Sequence, residues 1–304
     1  MIYQQCQLFH QKDSLSWKEY LDKYGYVVIQ NILSPNELVH AKNLFIQDIH
    51  EVSPKLNFED SSSLTIENTP CMFGKGMAVF NGFGQCDAMW NLRLNKNILE
   101  IFQSLYNTKD LAVSLDGFSL FVSSEQKSKP WLHIDQNPAN KFSSIQGAFN
   151  ILPVTEKSSG FIVIPESHKS YHPNVDHTKD WIICSDQVTL MKKAIKLLIP
   201  ENCLVLWNSK VIHANVGMTD KRKQLDRITA FLTYQPKTVR TEKILNQRIQ
   251  AYYKKQSTSH WIHKCEIKQY PWGFKNRYEK KNFGNIQLTL DKNGEIPIER
   301  LALL

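Results

Sequence analysis

From residue 111 to residue 234 the chain is cut into short stretches rich in β-branched and aromatic residues, with polar turns between them. Such stretches suit pleated, half-buried backbone. Strands are expected at 111–124, 131–134, 145–152, 160–164, 187–190, 195–199, 203–207, 211–214 and 227–234. Many short strands in succession predict two packed sheets, as in a sandwich or jelly roll.

The flanks carry helical patterns. Residues 14–24 offer Leu15, Tyr20 and Leu21 for burial, and Tyr26 and Val28 then mark a strand. Ser34-Pro35-Asn36-Glu37 has the composition of a capping box with proline in the first turn, and Leu38, Ala41, Leu44, Phe45 and Ile49 follow at helical spacing. A polar loop occupies 51–75, and the longer segment 51–85, with its glycines, is the expected lid. Helices are expected at 86–92, 95–106 and 240–256, and a hairpin turning at Asn293-Gly294 near the end. With no internal repeat or low-complexity linker, a single domain spanning 1–304 is expected. Its parts are an N-terminal helical and lid region (1–110), a strand-rich core (111–236) and a basic extension (240–304).

Composition excludes several classes. With 42% hydrophobic and 22% charged residues in 304, disorder is a poor description. Six cysteines are scattered without a Cys-x-x-Cys pair, which argues against a zinc ribbon or disulfide scaffold. There is no apolar run long enough for a membrane span and no apolar core near the N-terminus for a signal peptide, so a soluble, cytoplasmic protein is expected. The net charge of +8 is concentrated between Arg240 and Lys281, where eleven Lys or Arg meet three Glu. Aromatics such as Tyr252, Trp261 and Tyr270 interleave with these charges. A solvated basic face explains that segment better than a nucleic-acid site, because charge asymmetry alone is a weak signal.

In an extended strand residues i and i+2 point to one side, so His133 and Asp135 of PWLHIDQNP face one cavity. Two ligands hold a metal poorly, and the best third is His213, at the end of LVLWNSKVIH. Two imidazoles and one carboxylate leave open positions on the metal, the arrangement used by non-haem Fe(II) oxygenases. Beyond His213, Arg227 and Thr229 share one face of the strand RITAFLTY. A guanidinium there matches a carboxylate by two parallel charge-assisted bonds, the hydroxyl can add a third, and 2-oxoglutarate would supply the carboxylate.

The order His133-x-Asp135, His213, Arg227-x-Thr229 resembles the iron- and 2-oxoglutarate-dependent oxygenases, and more narrowly the phytanoyl-CoA dioxygenase family. GFIVIPESHK at 160–169 is similar to that family's strand and Pro-Gly-Ser-His turn, with Glu166 in place of the glycine. YGYVVIQNILSPNEL is similar to its N-terminal strand and helix. The resemblance covers roughly residues 18–240. It implies an α+β fold whose core is a double-stranded β-helix (jelly-roll, cupin-like) with flanking N-terminal and C-terminal helices. It also implies Fe(II), 2-oxoglutarate and O2 as cofactors, with a small-molecule or acyl-type substrate hydroxylated after hydrogen abstraction by a ferryl species. The carboxylate of Asp135 favours hydroxylation over halogenation, since the related halogenases replace it with a small residue.

Other residues have two readings. Gln146 and Asn150 line the pocket or satisfy buried backbone groups, and Trp207 is core or a substrate platform. His168, His172 and His177, like His260 and His263, are taken as loop residues; Asp116 as a turn residue; and Trp90 and Arg93 as helix packing. Two other functions compete: a catalytically silent jelly-roll binding module acting through the basic C-terminal segment, and a zinc hydrolase, which leaves Arg227 without a reason. Substrate identity and oligomeric state are not encoded in any motif.

Overall fold

The structure, a computed structural model, describes residues 1–73, 76–122, 131–173, 179–219, 223–269 and 283–304. The chain opens with strands β1 (Ile2–Gln5) and β2 (Leu8–Phe9), helix α1 (Ser14–Tyr24), strand β3 (Tyr26–Gln30) and helix α2 (Pro35–Val52). Strand β4 (Met77–Ala78) and helices α3 (Asp87–Arg93) and α4 (Lys96–Tyr106) follow. Then come β5 (Leu111–Val113), β6 (Phe118–Phe121), β7 (His133–Ile134), β8 (Ile145–Asn150) and β9 (Gly160–Val163). After α5 (Ser167–Ser170), β10 (Ile182–Ile183) and α6 (Gln187–Lys193), the strands resume as β11 (Ile195–Leu198), β12 (Cys203–Asn208), β13 (His213–Val216), β14 (Arg227–Leu232) and β15 (Tyr234–Pro236). Helices α7 (Glu242–Tyr253) and α8 (Ile298–Leu301) close the chain.

Two sheets carry the fold, in the orders β1-β11-β9-β13-β7-β10 and β2-β3-β12-β8-β14-β6-β4; β5 and β15 form a separate pair. Pairing is antiparallel except at β1/β11 and β2/β3, where the N-terminus adds a parallel strand to each sheet. The pleat decides what each strand buries. Tyr26, Val28, Val205 and Trp207 of the seven-stranded sheet meet Phe161, Val163, Ile195 and Leu197 of the six-stranded one. Their neighbours Val27, Ile29, Leu204 and Leu206 point the other way, onto Phe45, Ile49, Trp90 and Phe102 of the helices. Each such side chain contributes about 1.5–3 kcal/mol when fully buried.

The helix signals operate as written. Ser34 Oγ accepts from Glu37 N at 3.4 Å while Glu37 Oε2 accepts from Ser34 N at 2.8 Å, closing the capping box of α2. In α1 the buried side chains are Trp17 and Leu21, and Leu15 is 72% exposed. Three expectations are corrected. Segment 187–190 is helical, because Asp186 Oδ1 accepts from Thr189 N at 3.0 Å and caps α6. The single strand expected from residue 111 breaks into β5 and β6 around Asp116-Gly117, where a Cβ on Gly117 would lie 1.9 Å from Ala78 O; residues 123–124 lie outside the described residues. The C-terminal turn forms, with Gly294 N donating to Asp291 O at 3.0 Å, but no strands flank it. The backbone there bonds elsewhere: Gly284 N to Val52 O at 2.8 Å and Ile286 N to Asn81 O at 2.9 Å.

Candidate metal centre and its cavity

The cluster starts from strand register. His133 and His213 are direct antiparallel partners between β7 and β13. Residues so paired have Cβ atoms about 5 Å apart on one face, and the two imidazole centroids lie 4.4 Å apart. Asp135, two positions beyond His133, keeps to the same side, and both its N–H and that of Gln136 donate to Ser209 O, at 2.8 and 3.0 Å. His133 Nε2 is then 3.4 Å from Asp135 Oδ1, and His213 Nε2 is 3.1 Å from Asp135 Oδ2. One donor atom from each residue lies within 4.8 Å of the others, and all three residues are buried.

The outward nitrogens settle the tautomers. His133 Nδ1 is 2.9 Å from Trp131 O, and His213 Nδ1 is 2.9 Å from Val211 O. A carbonyl only accepts, so each Nδ1 carries the hydrogen and each Nε2 turns a lone pair towards the carboxylate. Lone pairs this close repel unless a proton or cation stands between them. Burial, and then His213, pushes the His133 pKa down, against the proton. Burial also opposes ionisation of Asp135, while any proton taken up by His133, His260 or His213 would hold its carboxyl well below the usual range. Two neutral imidazole nitrogens and one carboxylate oxygen, dry and on one side, fit a divalent transition metal.

Neighbouring side chains hold these groups in place. Gln146 Nε2 donates to Asp135 Oδ2 at 2.8 Å and to Ser209 Oγ at 3.0 Å. Trp131 stacks on His133, centroids 4.3 Å apart and planes 16° from parallel. Ser167, in the turn after β9, accepts at Oγ from Ile212 N at 2.8 Å, beside His213. His168 of that turn faces away, Nε2 3.0 Å from Asp22 O. Glu166 there adopts φ +64°, the left-handed conformation that suits glycine. His172 is placed apart from the cluster, and His177 lies outside the described residues.

Arg227 comes from β14 in the other sheet and is 2% exposed. Its Nε donates to Thr229 Oγ1 at 2.9 Å, and Thr229 Oγ1 donates to Asn150 Oδ1 at 2.9 Å. The hydroxyl of Thr229 therefore holds the guanidinium, and Asn150 anchors that hydroxyl. Arg227 Nη1 is buried with no hydrogen-bond partner among the described residues. Burial brings the guanidinium down to about 10, still cationic at neutral pH, with Asp226 opposing the shift. The Asp226 carboxylate accepts from Ser159 N and Oγ at 2.7 and 2.6 Å. Buried Arg93, away from the cavity, gives Nη1 and Nη2 to the carbonyls of Gly84 and Asp116, at 2.7 and 2.6 Å, as helix packing requires.

A cavity of about 530 Å³ joins the three clustered residues to Arg227. Gln146 and Trp207 line it. Trp207 packs on Phe161 and His213, and its Nε1 is buried without a partner among the described residues. From the expected lid, Phe73 and Met77 reach the cavity. Sequence reasoning missed several others in the lining: Trp131 and Trp181, Asp116 from the β5–β6 turn, and Ser259, His260, Trp261, Glu266 and Lys268 from the C-terminal segment. The basic, aromatic composition of that segment was the available signal, and it named no contact. Among the described residues no helix is long and apolar enough to cross a membrane.

No protein-family profile matches the chain. Over 253 residues it is 24% identical to the Ava biosynthesis cluster protein O of Aspergillus versicolor, covering 76% of this chain and 81% of that protein. Among solved structures it is similar to the epimerase SnoN in complex with Fe3+, alpha ketoglutarate and nogalamycin RO. That TM-score is 0.51 at 13% identity, over 75% of this chain and 85% of SnoN, a likeness of fold.

Proposed function

We propose that the chain is an Fe(II)- and 2-oxoglutarate-dependent oxygenase that hydroxylates a small molecule, built on a jelly-roll core of the phytanoyl-CoA dioxygenase type. The observation that carries this reading is one cavity holding the buried His133–Asp135–His213 cluster together with a buried guanidinium, Arg227, whose Nη1 has no partner among the described residues. SnoN, of similar fold, is described with Fe3+ and alpha ketoglutarate, and the Aspergillus relative's name places that protein in a biosynthesis cluster; both support the reading.

His133, Asp135 and His213 would hold the iron, and Arg227 would bind the far carboxylate of 2-oxoglutarate. Iron with 2-oxoglutarate and O2 supplies oxidative removal of a hydrogen from a substrate carbon. This chain's residues do the positioning. The Trp131 and Val211 carbonyls keep both Nε2 atoms free of hydrogen. Gln146 restrains the carboxylate of Asp135, and Thr229, braced by Asn150, aims the guanidinium. The buried setting excludes water that would compete for open positions.

Anaerobic Fe(II) plus 2-oxoglutarate should give a weak visible charge-transfer band, and O2 should then release succinate even without substrate. Bound iron with neither signal would remove the oxygenase reading and leave a silent binding module. Once a substrate turns over, oxygen from ¹⁸O2 in the product separates hydroxylation from the epimerisation named for SnoN.

A further inference from the structure

The wall facing the metal cluster includes residues 257–269, folded back on themselves. Ser259 N donates to Glu266 O and Lys268 N to Ser257 O, both at 2.9 Å, and Thr258 N ties the segment to Leu115 O at 2.9 Å. This fold-back brings the His260 ring onto the cavity, packed on Trp261 with centroids 4.6 Å apart. His260 Nε2 is shut off from solvent and has no hydrogen-bond partner among the described residues. Buried polar atoms in folded proteins are normally paired; the residue lines the cavity and is only partly covered, so a small turn of the ring presents an unpaired nitrogen to a bound ligand. Burial pushes the ring's pKa down, with Asp135 and Asp116 opposing and Lys268 and His213 assisting, so the imidazole is neutral at neutral pH and offers one donor and one acceptor.

The rest of the wall describes what the ligand looks like. Trp131, Trp181 and Trp261 give three indole surfaces, which suit flat unsaturated rings. The other charges on this wall are mixed in sign, which favours no one ion. Glu266 and Lys268 have opposite signs and lie two apart on an extended segment, and Asp116 Oδ1 accepts from Gly117 N at 2.8 Å. Arg227 belongs to the co-substrate under the reading above, on which this inference rests.

We propose that His260 selects the primary substrate: a neutral, flat, ring-bearing molecule whose hydroxyl or carbonyl oxygen hydrogen-bonds the imidazole while its rings lie among Trp131, Trp181 and Trp261. His260 is thus a specificity residue on the wall opposite the metal.

The test uses the full chain loaded with Zn(II) and 2-oxoglutarate, and two matched probes, 2-naphthol and naphthalene, in calorimetry. The wild type should bind 2-naphthol roughly tenfold more tightly, the value of one well-made hydrogen bond. His260→Phe should bring the two within about twofold while leaving Zn(II) and 2-oxoglutarate affinity unchanged, and His260→Gln should restore part of the preference. In ¹⁵N-histidine spectra of the wild type, 2-naphthol and not naphthalene should move the His260 ring resonance. A wild type with no preference, or a preference surviving in His260→Phe, overturns the proposal. Failure to bind Zn(II) and 2-oxoglutarate overturns the oxygenase reading and this inference with it; normal loading without discrimination overturns this inference alone.

Discussion

The two walls of the cavity are built on different principles. On the strand wall, register places the groups and nearby partners fix them. His133 and His213 are cross-strand neighbours with their Nδ1 atoms on carbonyls, and Gln146 restrains Asp135. On the loop wall, His260 and Trp261 sit in a short fold-back, and His260 Nε2 has no partner among the described residues. That wall is tied down by Lys264, whose Nζ lies 2.9 Å from Asp180 Oδ2. Ladders tolerate little displacement, so they suit groups that must converge on one ion. A loop can change its side chains without disturbing the sheets, so it suits the choice of substrate.

Changes on the strand wall should have the largest effects. Asp135→Ala removes the only carboxylate of the cluster and should cut Zn(II) affinity by more than about 100-fold, beyond what loss of an outer partner costs. Calorimetry reads the affinity, and succinate release should fall to background. Wild-type succinate release would sink the metal assignment. Arg227→Met should leave metal affinity unchanged and weaken 2-oxoglutarate by roughly 100-fold, given about 1.5–3 kcal/mol for each charge-assisted bond. Equal loss of both affinities would mean that Arg227 supports the fold instead.

The loop wall should show in pH dependence and in small stability changes. The folded pKa of His260 lies below the ordinary histidine value, so below about pH 6.5 the unfolded chain binds more protons there than the native one. Stability of the metal-free protein should therefore fall as pH drops from 7 towards 5.5. His260→Phe should flatten that fall, seen as a smaller shift in Tm; an unchanged slope would assign the fall to other groups. Lys264→Ala should cost the least, at most about 1 kcal/mol, because the pair is partly exposed. A larger loss in thermal unfolding would show that the loop wall is as rigidly tied as the strands.

Legibility followed the range of the interactions. The Ser34–Glu37 box and α2 were readable because capping and helical spacing are local. His-x-Asp was readable because strand alternation puts i and i+2 on one side. Asp186, whose side chain caps α6, was a local signal that the strand-like segment after it obscured. The C-terminal hairpin forms only its turn for a non-local reason: its first arm gives Ile286 N to Asn81 O and Gln287 N to Glu51 Oε1. Thr229 was read as reaching for a ligand, whereas its hydroxyl is engaged by Arg227 and by Asn150 on a neighbouring strand.

By itself the sequence determined the strand-rich core, the capped helix and the residue types able to hold a metal, because periodicity and donor chemistry are properties of a few adjacent residues. Only the tertiary structure decided that His133 faces His213, that Arg227 keeps a nitrogen unpaired among the described residues, and that a histidine more than a hundred residues beyond Asp135 lines the same cavity. Register, burial and cavity shape depend on segments meeting across the fold, and no local pattern specifies which segment arrives.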